Sequence, residues 1–310
     1  MELWQLRQRQ ALPLEVKVQM SLLRIREFYE YCEGNVYVAF SGGKDSVVLL
    51  DLVRSLYPKT EAVFCNTGLE FPEIVKFCKD TENCTIIRPE KKFKQVIEEY
   101  GYPVVSKEQA LYIRQYRHTN SQKLRNVRWN GKQYGAMTKG KIFDKWKYLV
   151  DAPFEISERC CHWLKKRPSL NFNRMSGKFP FLGLRADDSI LRQRLYLTSG
   201  CNVMDGKMSQ GRPLAIWNDE NIWGYIEQKN LGYCTIYNQG YDRTGCLFCG
   251  FGVHLEEQPN RFQRLQQTHP KLWEYCMDKL GMREVLEYMG IPYMGFQMTL
   301  PGFEDNARRD

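Results

Sequence analysis

VYVAFSGGKDSVVLLDLVRSL, residues 36–56, passes from a strand to a helix through a short polar turn. Val36 to Phe40 has the β-branched and aromatic content of a buried strand. Val47 to Leu56 carries the apolar residues of a helix packed on a sheet. Between them, Gly42 and Gly43 allow the backbone to approach a ligand closely and turn N–H groups toward it. The start of the following helix adds partial positive charge and Lys44 a full one, so Ser41, Gly42, Gly43, Lys44, Asp45 and Ser46 form a candidate phosphate-binding turn. Asp45 follows the lysine where a Walker A loop has Ser or Thr, and the upstream glycine of that motif is missing. The plain alternative is a glycine turn capped by Ser41 or Ser46.

Ser-Gly-Gly-Lys-Asp-Ser resembles the PP-loop of the ATP pyrophosphatase superfamily, which implies cleavage of ATP between the α- and β-phosphates or binding of a related adenosine nucleotide. The flanking sequence suits that site. An amphipathic helix is expected over Leu14 to Cys32, a second strand over Glu61 to Cys65, a helix from Pro72 to about Asp80, and a third strand over Thr85 to Arg88. A further strand is expected at Phe179 to Leu184. Strands alternating with helices predict an α/β fold with a Rossmann-like parallel sheet that binds ligand at the carboxyl ends of its strands. Arg185 and Arg192, just past such an end, can fork onto phosphate or sulfate oxygens, or else pair on the surface with Asp187 or Asp188.

The 310 residues carry a net charge of +9, which suits a polyanionic partner or a small anionic substrate. No apolar run reaches the roughly 18 residues of a membrane span, and MELWQLRQRQ is too polar for a secretory h-region. The expected compartment is the cytoplasm. Residues 107–147 hold 11 Lys or Arg, two acids and six Tyr, Trp or Phe. This basic aromatic insertion suits a nucleic-acid backbone with stacking bases, or a solvated face over packed aromatics. Three short helical segments, Gln258 to Thr268, Pro270 to Leu280 and Met282 to Met289, predict a helical C-terminal appendage, with Pro292 and Pro301 marking an irregular tail. The expected domains are residues 1–34 (helical), 35–255 (nucleotide-binding, containing the insertion) and 256–310 (appendage).

Of the 11 cysteines, six are scattered and read as small buried hydrophobes. Cys160 and Cys161 are adjacent, and Cys246 and Cys249 form a Cys-X-X-Cys pair after 84 intervening residues. Four thiolates suit a 4Fe-4S cluster; zinc, with Cys161 or His162 contributing, is the alternative, and a redox dithiol a third.

Four blocks together resemble the phosphoadenosine phosphosulfate and adenosine phosphosulfate reductase family of the PP-loop superfamily: Ser41 to Ser46, Asn66 to Glu73, Gly183 to Arg192, and Pro213 to Cys249. The resemblance implies a sheet of the adenine nucleotide alpha hydrolase type, with Thr67 and Gly68 joining Ser41–Ser46, Arg185 and Arg192 around the nucleotide. Cys160-Cys161-His162-Trp163-Leu164-Lys165 together with Cys246 and Cys249 resembles the cluster-binding adenosine phosphosulfate branch. The family's C-terminal Glu-Cys-Gly-X-His, which carries its attacking thiolate, has no counterpart; Cys276, in LWEYCMDKL, reads as packed. The insertion and LPLEVKVQMSLLRIREFYE, residues 12–30, look more like relatives that insert sulfur into nucleic acid, such as DNA phosphorothioation and phage proteins. The expected activity is therefore adenylation of an acceptor, with Lys44, Asp45 and Arg185 catalytic, ATP and Mg²⁺ as cofactors, Asp45 as a holder of that Mg²⁺, and sulfur supplied by a donor or by way of the cluster. Two alternatives stand beside it: a sulfonucleotide reductase using a non-standard or partner thiol, and a nucleotide-gated nucleic-acid-binding subunit.

Overall fold

The computed structural model describes residues 1–134 and 137–295. The chain begins with α1 (Leu3–Gln10) and α2 (Leu14–Tyr31), then alternates β1 (Val36–Ala39), α3 (Lys44–Leu56), β2 (Ala62–Cys65), α4 (Pro72–Asp80), β3 (Cys84–Ile87) and α5 (Phe93–Tyr100). Next come β4 (Val104–Val105), α6 (Lys107–His118), α7 (Gln122–Asn130), β5 (Lys132–Tyr134) and β6 (Met137–Lys139). The alternation resumes with α8 (Arg167–Ser176), β7 (Phe179–Leu182), α9 (Ile190–Ser199), β8 (Asn202–Val203), β9 (Gln210–Gly211) and α10 (Asp219–Lys229). The last elements are β10 (Gly250–Phe251), α11 (Arg261–Thr268), α12 (Pro270–Glu274) and α13 (Met282–Tyr288).

Two compact units result, one of residues 1–96 and 160–246, the other of residues 97–159 and 247–310. This division differs from the expected boundaries. Residues 1–34 belong with the sheet, because the buried stripe of α2 lies under it. The insertion and the C-terminal segment share a unit because β4 pairs in parallel with β10, and Tyr102 donates to the Leu280 carbonyl at 2.8 Å.

The first unit holds a six-stranded sheet of order β3-β2-β1-β7-β9-β8, parallel except for the edge pair β8–β9. Val38 pairs with both Ala62 and Phe181, so β1 is central and its apolar residues are covered on both faces. Phe28 of α2 meets the Phe181 ring edge-on at 5.1 Å, and both are fully buried. Each such ring contributes roughly 1.5–3 kcal/mol by leaving water. Pro72 opens α4 as expected, while α3 starts at Lys44, three residues before the apolar run, because the turn itself winds into its first coil.

In the second unit, Ser106 caps α6 and Ser121 caps α7, ahead of the β5–β6 hairpin. Pro292 lies among described residues that form no helix or strand; Pro301 lies outside the described residues. Among the described residues no helix is long and apolar enough to cross a membrane.

Candidate nucleotide and thiol sites

At the carboxyl end of β1, Phe40 still donates to the Val63 carbonyl at 2.9 Å, and the chain then turns through Ser41–Ser46. Ser46 Oγ donates to the Gly43 carbonyl at 2.8 Å and accepts from Ser41 N at 3.2 Å, so the serine cap and the glycine turn are one device. Gly42 has φ of +70°, and a Cβ there would lie 2.8 Å from Cys78 Sγ, so only glycine fits without strain. Gly43 is the N-cap of α3, aiming that 13-residue helix's positive end along the turn.

Lys44 is 5% exposed. Its Nζ lies 2.8 Å from Asp219 Oδ1 and donates to the Asp242 carbonyl at 3.2 Å, while its backbone N–H donates to Tyr237 Oη at 2.8 Å. The ammonium also stands 5.2 Å from the Trp223 ring centroid. Arg185, 7% exposed, reaches the same place from the end of β7. Its Nε lies 2.8 Å from Asp45 Oδ1, and its Nη2 lies 2.8 Å from Asp188 Oδ1 and 3.1 Å from Asp219 Oδ1. Nη1 of Arg185 is buried with no hydrogen-bond partner among the described residues. The close approach of β7 is permitted by Gly183, whose Cβ would sit 3.3 Å from the Asp45 backbone.

Lys44 and Arg185 are thus interlocked with Asp45, Asp188 and Asp219. Burial pushes the Asp45 carboxyl up, and Asp188 and Asp219 add to that against Arg185 and Lys44. Asp219 shifts the other way: burial would raise it, but Lys44 and Arg185 outweigh that. Anionic oxygens arriving here would compete with these carboxylates for the same two cations and could take the spare Arg185 donor.

Arg192 is half exposed and pairs with Asp188, which is the surface-pairing alternative from sequence, here one step removed from the turn. Thr67 N and Oγ1 donate to Glu70 at 2.9 and 2.7 Å, and Gly68 adopts φ of +77°. This closes the loop after β2 on itself. Asp219, Trp223 and Tyr237 join the site without a role assigned from sequence, and Asp188, expected as a surface partner of Arg185 or Arg192, pairs with both. The first three all lie in the block Pro213 to Cys249 that resembles the family, where no role was attached to them.

The thiols are partly gathered in the same unit. Cys160 and Cys161 have sulfurs 3.9 Å apart just before a π-turn, His162–Lys166, that runs into α8. Lys165 is an exposed residue whose ammonium, against a desolvation that would lower it, is held well above the usual lysine range by Cys246, Glu70 and Cys161. Burial raises the Cys246 thiol against the pull of Lys165. Cys65 Sγ donates to the Leu164 carbonyl at 3.3 Å. Cys249 belongs to the other unit, where its carbonyl accepts from Arg261 Nη1 at 2.9 Å. Among the described residues no group of three or more His, Cys, Asp or Glu is positioned to hold a metal ion. Cys276 is fully buried, and burial drives its thiol far up, as expected of a packed residue.

Within the second unit, the insertion spends its arginines internally. Arg117 donates to the carbonyls of Leu149, Val150, Ala152 and Phe154 at 2.7–2.8 Å. Arg114 forks onto Glu158, Arg128 binds the Gly140 carbonyl and Gln115, and Arg125 binds the Thr119 carbonyl. The exposed cations are Lys107, Lys123, Lys132, Lys139 and Lys145. Arg117→Ala would leave four carbonyls short of their donor and should cost about 3 kcal/mol, since hydrogen bonds to a charged group contribute about 1.5–3 kcal/mol each and do not add fully. Chemical denaturation reads this directly, and a midpoint within error of wild type would contradict the assignment.

Residues 35–250 match the phosphoadenosine phosphosulfate reductase domain model. The chain belongs to that family. The match takes in the glycine turn, Arg185, Asp219 and all four spaced cysteines. An uncharacterised protein of Methanocaldococcus jannaschii is 26% identical over 255 residues, covering 81% of this chain and 42% of that one. The chain thus spans about half the length of the first relatives it matches. An adenosine 5'-phosphosulfate reductase of Anoxybacillus flavithermus is 24% identical over 278 residues, covering 88% of this chain and 98% of that enzyme. Among solved structures, a U34-tRNA thiolase of Methanococcus maripaludis with its [4Fe-4S] cluster is 16% identical and aligns with a TM-score of 0.37 over 93% of this chain and 84% of that one.

Proposed function

We propose that this family member is an enzyme that binds ATP or a related adenosine nucleotide at the end of β1 and activates an acceptor for sulfur transfer. The observation that carries this reading is the convergence of the glycine turn, Lys44 and Arg185, with a spare buried Arg185 donor, at one strand end. The turn amides and Lys44 hold the phosphates, and Arg185 meets the charge that develops as the acceptor oxygen attacks the α-phosphorus and pyrophosphate leaves. AMP is then displaced by a sulfide-level donor. Asp45 is the candidate holder of Mg²⁺, which would have to take it from Arg185.

Cys160, Cys161, Cys246 and Cys249 are proposed as thiolate ligands of a 4Fe-4S cluster. The donor chemistry fits: two sulfurs 3.9 Å apart, with Lys165 supplying positive charge to Cys246 and Cys161. A bound cluster would bring sulfur or electrons to the acceptor. Zinc on the same thiolates would leave adenylation without that chemistry.

Anaerobically purified protein given ATP, Mg²⁺ and nucleic acid should form AMP and pyrophosphate faster than without nucleic acid. Sulfite released from adenosine phosphosulfate by reduced thioredoxin would instead establish the reductase reading, which the full-length match to the Anoxybacillus enzyme favours. With Cys276 buried, that reading falls to another thiol of the chain or to a partner's. Nucleotide and nucleic-acid binding without turnover would leave the subunit reading, resting on the exposed lysines of the insertion rather than its arginines.

A further inference from the structure

The buried stripe of α2 runs through Lys17, Ser21, Ile25 and Phe28, so two polar residues occupy positions that an amphipathic helix gives to apolar ones. Lys17 is 1% exposed, and burial lowers its ammonium against the opposing pull of Glu220 and Asp187. A buried cation is costly and is retained where its bonds matter.

Both residues bond into one distant segment. Ser21 Oγ donates to the Pro213 carbonyl at 2.9 Å and accepts from Trp217 Nε1 at 2.9 Å. Lys17 Nζ donates to the Gln10 carbonyl at 2.5 Å and to Asn221 Oδ1 at 2.6 Å. Asn221 and Asn218 cap the start of α10 reciprocally: Asn218 N donates to Asn221 Oδ1, and Asn221 N to Asn218 Oδ1. The next residue after Asn218 is Asp219, which faces Lys44 and Arg185. The same segment holds the Arg185 loop, since Ala186 N donates to the Ala215 carbonyl at 2.9 Å.

A lysine is an odd choice here. Its positive charge lies at the positive end of α10, where a neutral donor could make the same bond to Asn221 without opposing the helix dipole. What the ammonium adds is a short, charge-assisted bond that pins the Asn221 side chain and with it the first turn of α10.

We infer that Lys17 is a positioning residue for the nucleotide site: through Asn221 it fixes the first turn of α10 so that Asp219 stands against Lys44 and Arg185. The inference rests on the proposed nucleotide site and specifies what holds its acidic side in place. It assigns α2 a part in that site beyond covering the sheet.

The test is a double-mutant cycle read by ATP affinity in calorimetry, with Lys17→Met, Asp219→Asn and the double variant. Lys17→Met should weaken or tighten ATP binding by about tenfold, and that change should vanish in the Asp219→Asn background. An equal change in both backgrounds would show a general packing role and overturn the inference, as would no change in either. Should Lys17→Met fail to fold, Asn221→Ala removes the acceptor and keeps the lysine, and the same dependence on Asp219 is expected. A separate outcome bears on the site itself: if Lys44→Ala binds ATP as wild type does, the nucleotide reading fails, whatever the cycle returns.

Discussion

Lys44→Ala should raise the dissociation constant for ATP about a hundredfold and abolish turnover while leaving the fold intact. A charge-assisted hydrogen bond to phosphate contributes about 1.5–3 kcal/mol, and each 1.4 kcal/mol is tenfold in affinity. The fold should tolerate the change because Asp219, the partner left behind, is half exposed and keeps Arg185 at 3.1 Å. Titration calorimetry with ATP and a thermal melt on the same sample check both halves. ATP affinity within twofold of wild type would remove Lys44 from the phosphates and reduce the turn to a capped loop.

Cys246→Ala and Cys249→Ala should each strip most of the metal from anaerobically purified protein. The parent should hold about four irons and four sulfides per chain, the content of one cubane cluster, and each variant a small fraction of that. In Cys246→Ala, Lys165 also loses the sulfur that favours its charged form. Iron and sulfide unchanged in either variant would refute its place in the ligand set. About one zinc and no sulfide in the parent would keep the thiolates and discard the redox chemistry. ATP affinity should change little in either case, because the phosphate turn draws on neither sulfur.

Much of the first unit was legible in sequence because its signals are local. A β-branched run, paired glycines and a proline at the first turn of α4 each restrict the backbone within a few residues of themselves, and all three appear where expected. The acidic side of the site was not legible. Asp219 is 175 residues from Lys44, and a carboxylate in a capped helix start reads as a cap until the sheet brings it opposite a lysine. Arg192 looked as suitable as Arg185 for phosphate, yet one is buried beside the turn and the other is tied to Asp188 at the surface. The composition of the insertion left open where its cations go. Its aromatic and basic content is real, but whether an arginine meets solvent or four carbonyls depends on the chain that packs around it.

Sequence by itself determined the family, the strand–turn–helix around Ser41–Ser46 and the spacing of the four cysteines, because short-range steric and hydrogen-bonding preferences act along the chain. Only the tertiary structure decided which charges oppose Lys44 and Arg185, where each arginine spends its donors, and that a buried lysine of α2 bonds the cap of α10. Those outcomes depend on burial and on pairings that range from a few residues to more than a hundred apart, where a charge becomes costly or useful only through the neighbours that folding brings to it.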